Sequence, residues 1–196
     1  MSNTVNIVLC GVGGQGTVLA SKLIASAAMS KGLQVRSAET IGMAQRGGSV
    51  FSHVRVGGNV NSPMISSGEA DIIIGFEPAE TVRMLPYLKK GGIVITSNRP
   101  VIPVTAALKG TDYNGDEMIS YLKSLDTISK LIVVDTEEAI AEIGNPKVVN
   151  MVLLGAAART GILGEISHED IIEAMKKRVK PQFYEMNIKA LEYVEV

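Results

Sequence analysis

The chain predicts an α/β protein of Rossmann-like build: a mostly parallel sheet, helices on both faces and an antiparallel hairpin insertion. Three observations carry this. Short apolar runs ending in glycine or polar turns alternate with helical spacing along most of the 196 residues. The first run opens into "GVGGQG" and then a helical pattern, a strand–glycine loop–helix unit. The alternating stretch "VFSHVRVGGNVNSPMI" interrupts the series and, with Gly57-Gly58, reads as a strand and hairpin. The length suits a single domain over 1–196.

Each element follows from its own pattern. Val5 to Cys10 is an apolar run, as in a strand buried on both faces. Thr17 to Ser30 places Leu19, Leu23, Ile24, Ala27 and Ala28 on one helical face, with Gly32 as the stop. Leu33 to Glu39 is the second strand, and Thr40 to Ser49 a loop. Ala70 to Phe76 is a further buried strand. Pro78 starts a short helix over Glu80 to Leu88, and Gly91 to Ser97 returns as a strand. Arg99 to Gly115, rich in Pro, Gly and Thr, carries no firm assignment. Glu117 to Leu125 predicts a helix, Lys130 to Thr136 a strand, and Glu137 to Ile143 a helix. Asn145-Pro146 caps a helix that is apolar almost all round, which places it in the core in preference to a subunit contact. "SHED" at Ser167 to Asp170 fits a capping box with Asp in the place of Glu, ahead of Ile171, Ile172 and Met175. Lys180-Pro181 opens the last helix, with Phe183, Met186, Asn187, Ala190 and Leu191 in step.

Two glycine loops are the candidate site. Gly11, Gly13 and Gly16 satisfy G-x-G-x-x-G, and Gly14 and Gln15 lie within the same turn. Such glycines permit a tight turn, close backbone approach to a pyrophosphate, and close packing of helix on strand. The helix after the turn then aims unpaired N–H groups toward an anion, and Thr17 adds a hydroxyl. Three readings stay open here: a dinucleotide, another phosphate or anionic group, or a turn that serves packing alone. No P-loop lysine comes after Gly16, so a Walker-type NTPase is disfavoured. Glu39 ends the second predicted strand, near where a ribose-binding acid sits in dinucleotide folds. The loop after it carries Gln45, Arg46, Gly47 and Gly48. Arg46 offers a planar fork for a carboxylate or phosphate.

Composition removes several classes. A formal net charge of −1 argues against nucleic acid, and Lys176-Lys177-Arg178 reads as a solvated helix end. The N-terminus lacks the basic region of a signal peptide, and no apolar run approaches the ~20 residues of a span; the expectation is a cytoplasmic chain with no membrane contact. One cysteine, Cys10, cannot hold an iron–sulfur cluster, which takes about four thiolates, and it closes a buried strand where a thiol is inert. His53 and His168 have no metal-ligand spacing. No catalytic grouping emerges, and the nine methionines read as core filling.

Four stretches carry a resemblance over nearly the whole chain: "GVGGQG", "ETIGMAQRGGSVFSHVRVG", "ADIIIGFEPAET", and "NMVLLGAA" with "NIKALEY". They are similar to the gamma-type domain family of the 2-oxoacid:ferredoxin oxidoreductases, most of all the small (beta) subunit of the indolepyruvate type. The first loop is generic; Met43 to Gly48 is distinctive. The resemblance implies CoA-dependent oxidative decarboxylation of an aryl pyruvate with ferredoxin as acceptor. It also implies a larger partner subunit that bears thiamin diphosphate, magnesium and the iron–sulfur clusters, so that this chain alone holds no cofactor and is inactive. The two loops are then expected side by side at one rim of the fold. The rivals are a free-standing NAD(P)- or flavin-dependent oxidoreductase and a nucleotide-sensing module.

Overall fold

The computed structural model describes residues 4–40, 47–58, 60–102 and 113–194. Six strands, β1 (Val5–Val12), β2 (Val35–Glu39), β3 (Ser49–Val56), β4 (Ala70–Gly75), β5 (Leu88–Ser97) and β6 (Ile128–Val134), form one sheet in the order β2-β3-β1-β4-β5-β6. β1, β4, β5 and β6 pair in parallel. β3 runs antiparallel to both of its neighbours, β1 and β2. The expected antiparallel insertion is therefore present, but it is made by the pairing of β2 with β3. At Gly57-Gly58 no second strand returns: among the described residues, 60–69 contain none. Side chains of β3 hold that segment instead. Arg55 donates to the Ser62 and Met64 carbonyls, and His53 Nδ1 accepts the Ile65 N–H at 2.9 Å.

The seven α-helices among the described residues are α1 (Thr17–Ser30), α2 (Pro78–Met84), α3 (Asp116–Lys123), α4 (Thr136–Ile143), α5 (Val149–Arg159), α6 (His168–Lys176) and α7 (Tyr184–Glu192). α1 packs with α5, α6 and α7 on one face of the sheet, in a core containing Leu23, Ile24, Leu153, Leu154 and Leu191. α2 and α3 cover the other face through Met84, Ile119 and Leu122. α5 is buried from Val149 through Ala158, as its all-round apolarity predicts. It approaches α7 so closely that a Cβ at Gly155 would stand 2.0 Å from the Leu191 carbonyl oxygen. The α6 capping box forms, with the Asp170 carboxylate taking the Ser167 N–H.

Two helix boundaries differ from expectation, each for a local reason. α2 ends at Met84 because Pro86 removes a donor and disfavours helix in the residue before it. Pro181–Phe183 is a 3-10 turn with three residues per turn, so Phe183 falls out of the α7 register and is exposed, while Asn187, Ala190 and Leu191 are buried.

β1 hands the chain to α1 on one face, and its parallel neighbour β4 hands it to α2 on the other. The crevice between their carboxyl ends is the switch point where open α/β sheets bind ligands.

Candidate functional site

The first glycine loop joins β1 to α1 and needs its glycines. A Cβ at Gly11 would lie 2.7 Å from Gln15 Oε1 and 2.8 Å from Phe76 Cβ. Gly14 and Gly16 hold φ of +105° and +87°, which side chains rarely adopt. Gln15 is engaged at both ends of its amide. Its Oε1 accepts the Val12 N–H at 2.7 Å, and its Nε2 donates to the Phe76 carbonyl at 2.8 Å. It staples the loop to the end of β4. Gly16 is the N-cap of α1, so no side chain caps the helix, and no acid stands in its first turn. The N–H groups and positive dipole end of a 14-residue helix are thereby left for an anion. Thr17, the first helical residue, is buried.

The two glycine loops do lie together. Gly13 donates to the Gly48 carbonyl at 2.8 Å, and Gly47 donates back to the Gly13 carbonyl at 3.5 Å. Gly47 sits at φ +78°. Gln45 and Arg46 lie outside the described residues. Glu39 ends β2, where its carboxylate accepts from Ser21 Oγ at 3.3 Å. In sheets where β2 adjoins β1, an acid there reaches a ribose; here β3 intervenes and Glu39 stands one strand further out.

A cleft of about 500 Å³ opens between Gly14–Gly16 and the ends of β4, β5 and β6. Arg99 and Lys147 line it, and among the described residues none of its lining is acidic. With the open end of α1, these cations make it receptive to a negatively charged group. Its floor holds a hydroxyl pair, Ser97 Oγ and Thr136 Oγ1, 2.6 Å apart. Ser97 Oγ also accepts the Arg99 N–H at 3.0 Å, which sets the start of the Arg99 segment. Lys147 is the middle residue of a 3-10 turn, Pro146–Val148, capped by Asn145, whose Oδ1 accepts the Lys147 N–H at 2.9 Å. Asn150, nearly buried at the start of α5, packs so tightly on the loop that a Cβ at Gly16 would stand 2.7 Å from its Nδ2.

Ser97, Arg99, Thr136, Lys147 and Asn150 are not legible as site residues from motifs. Two signals point to some of them: Ser97, Arg99 and Thr136 stand at or just after the carboxyl ends of strands, and Asn150 is polar within an apolar helix. The other candidates stand apart. Cys10 is fully buried, and burial, then the nearby Glu80 and Glu77, push its thiol up, away from the thiolate. His53 is buried beside Phe51 and Tyr87, and burial lowers its pKa. His168 Nε2 lies 3.0 Å from the Leu191 carbonyl oxygen. Among the described residues no group of three or more His, Cys, Asp or Glu is placed to hold a metal. This donor set does not fit a metal or an iron–sulfur cluster, whereas the uncapped glycine turn fits a phosphate. No helix among the described residues is long and apolar enough to cross a membrane.

Comparison with known proteins shows the family and the fold. Residues 6–194 match the family model described as pyruvate ferredoxin/flavodoxin oxidoreductase. The chain is 39% identical over 187 residues to the indolepyruvate oxidoreductase subunit IorB of Pyrococcus horikoshii, covering 95% of this chain and 92% of that one. It superposes on the keto/oxoacid ferredoxin oxidoreductase gamma subunit of Geobacter sulfurreducens with a TM-score of 0.71 at 25% identity, covering 97% of this chain and 94% of that one. It shares its fold with part of a Magnetococcus marinus 2-oxoglutarate:ferredoxin oxidoreductase solved with 2-oxoglutarate, coenzyme A and succinyl-CoA bound. There the TM-score is 0.68 at 19% identity, over 98% of this chain and 30% of that one.

Proposed function

Since the chain belongs to the pyruvate ferredoxin/flavodoxin oxidoreductase family, we propose that it is the small subunit of a heteromeric 2-oxoacid:ferredoxin oxidoreductase of the indolepyruvate type. The complex converts an aryl pyruvate, coenzyme A and oxidised ferredoxin to an aryl-acetyl-CoA, carbon dioxide and reduced ferredoxin. The thiamin diphosphate, its magnesium and the iron–sulfur clusters belong to a larger partner subunit. Thiamin supplies the carbanion chemistry there, and the clusters carry the electrons. The IorB relatives support the substrate class. The lone buried thiol supports the placement of the clusters elsewhere.

This chain's part is to receive anions and order a rim. The backbone of Gly11 to Gly16 and the first turn of α1 take a phosphate of coenzyme A or of the partner's cofactor. Arg99 and Lys147 add charge from across the cleft, and Ser97, Thr136 and Asn150 line its wall with hydrogen-bonding groups. Arg46 pairs with the substrate carboxylate or with an acid of the partner. Gln45 and Glu39 order the second loop, Glu39 from its hold on Ser21. The reading rests above all on one observation: the Gly13–Gly48 hydrogen bond, which puts both side-chain-poor turns at the same rim beside the cleft. A free-standing dinucleotide enzyme would need its ribose acid on the strand that flanks β1 on the side away from β4, and that strand is β3, not β2. The test is Arg46→Ala in the reconstituted complex, where turnover or assembly should fall. Unchanged turnover in an unchanged complex would reject the role. Titration of the isolated chain with NAD, NADP, FAD and coenzyme A provides the second arm, since tight nicotinamide binding would favour the dinucleotide reading.

A further inference from the structure

The first turn of α2 holds two carboxylates that the cleft does not use. Glu77, the N-cap, is 2% exposed, and Glu80, one turn on, is 7% exposed. Buried carboxylates are costly unless each oxygen finds a donor. Capping α2 takes only one of these oxygens: Glu77 Oε2 accepts the Glu80 N–H at 2.9 Å. Of the remaining three, one faces Arg83 on the same helix and two reach away from it, in different directions. Glu80 Oε2 accepts from Ser49 Oγ at 2.5 Å, and its Oε1 lies 3.4 Å from the exposed Arg83. Glu77 Oε1 accepts from Tyr113 Oη at 2.5 Å and lies 3.4 Å from the Val101 N–H. Tyr113 Oη in turn accepts the Ala79 N–H at 3.2 Å.

The far ends of these contacts matter. Ser49 comes directly after Gly47-Gly48, the part of the second glycine loop that bonds to Gly13. Val101 and Tyr113 belong to the connection between β5 and α3, and Arg99 and Val101 on that connection line the cleft. One short helix thus grips both strand-end connections that flank the glycine turn. Gly115 packs on the same turn, where an added Cβ would stand 3.2 Å from Pro78 Cγ.

We propose that Glu77 and Glu80 are positioning residues. Through Tyr113 on one side and Ser49 on the other, they set the spacing between the Arg99 segment and the second glycine loop. The spacing is the one in which coenzyme A is received. The inference rests on the reading of the cleft as the coenzyme A-facing surface, and the experiment separates the two.

In the reconstituted complex, with ferredoxin or a viologen dye as acceptor, Glu80→Ala should raise KM for coenzyme A about tenfold, the equivalent of about 1.4 kcal/mol. That rise should exceed any fall in kcat. Ser49→Ala should reproduce it, and the double variant should be no worse than either single one, because both remove the same contact. Glu80→Gln should restore KM, since its amide oxygen still accepts from Ser49. Tyr113→Phe should raise KM from the opposite side. The inference is overturned if these variants only lower the yield or melting temperature of the complex, leaving KM of the assembled enzyme unchanged. It is equally overturned if Glu80→Gln is as impaired as Glu80→Ala. Lys147→Ala serves as the control for the cleft. A raised KM there with a silent Glu80→Ala sinks the positioning role alone, whereas a silent Lys147→Ala sinks the cleft reading itself.

Discussion

At the amino edge of the sheet, polar side chains answer one another; at the carboxyl edge, backbone donors are left open. Asn6, near the start of β1, shows the first pattern. Its N–H goes to Asp71 Oδ2 at 2.7 Å, its Nδ2 to the Glu69 carbonyl, and its Oδ1 accepts from Arg55 Nε at 2.9 Å. Asp71 also pairs with Lys89, and Arg55 reaches on to Ser62 and Met64. At the other end of the same strand, Gly13 to Gly16 carry no side chain but Gln15, and α1 begins without a cap. Closed hydrogen bonding marks scaffold, because an unpaired buried group costs about 1–3 kcal/mol. Open donors beside a cleft persist only where solvent or a ligand completes them. The difference supports the proposed site independently of any motif.

The sharpest way to break this contrast is Gly16→Val. The residue sits at φ +87°, and its Cβ would meet Asn150. Displacing the turn should cut kcat/KM of the reconstituted complex on the order of a hundredfold. Activity within about threefold of wild type would mean that the turn positions nothing.

The complementary change is Asp71→Ala at the amino edge, which strands the Asn6 N–H and Lys89. Urea unfolding should register a loss of about 1–3 kcal/mol, with KM for coenzyme A untouched in the assembled complex. A shifted KM would show that the two edges are not separable.

Salt sharpens the comparison further. Arg99 is about half exposed and, among the described residues, makes a loose 3.9 Å approach to Glu137, so its charge acts through solvent. Arg99→Ala should raise KM for coenzyme A roughly three- to fivefold at low ionic strength, and less in about 0.5 M salt, where screening is shorter than about 5 Å. A salt-independent effect would point to a packing role instead.

The smallest expected effect lies away from both edges, at His53. Burial lowers its pKa in the folded state. The unfolded chain then takes up a proton more readily below its ordinary value of about 6.5. Stability is therefore fully present above that pH and is lost as pH falls through the folded pKa. Denaturation midpoints at about pH 7.5 and about pH 5.5, on either side of the ordinary value, should differ less in His53→Gln than in wild type. Equal differences would remove His53 from the account.

Much of the fold is written locally. α1 is legible at both ends because a glycine turn opens it and Gly32 stops it, and apolar spacing between them carries the helical period. The capping box at Ser167 is legible because its two partners lie three residues apart. The glycine turn is legible for the same reason. By contrast, the return strand expected after Gly57-Gly58 is not found among the described residues 60–69, since a glycine pair marks a turn without specifying the conformation of the chain beyond it. Phe183 looks core-bound only on the assumption of an unbroken α period. The cleft's cations are hidden because Arg99 and Lys147 stand far apart in the chain and line one cavity only after folding, a proximity that no local pattern encodes.

The alternation of strands and helices, the uncapped glycine turn and the apolar α5 are encoded locally, because propensity, periodicity and φ requirements act within a few residues. The wedging of β3 between β1 and β2, the bond between the two glycine turns and the reach of α2 to both flanking connections arise from the folded arrangement alone. Those outcomes depend on which buried surfaces and hydrogen-bonding groups meet after the chain closes on itself, and that is a property of the packed whole.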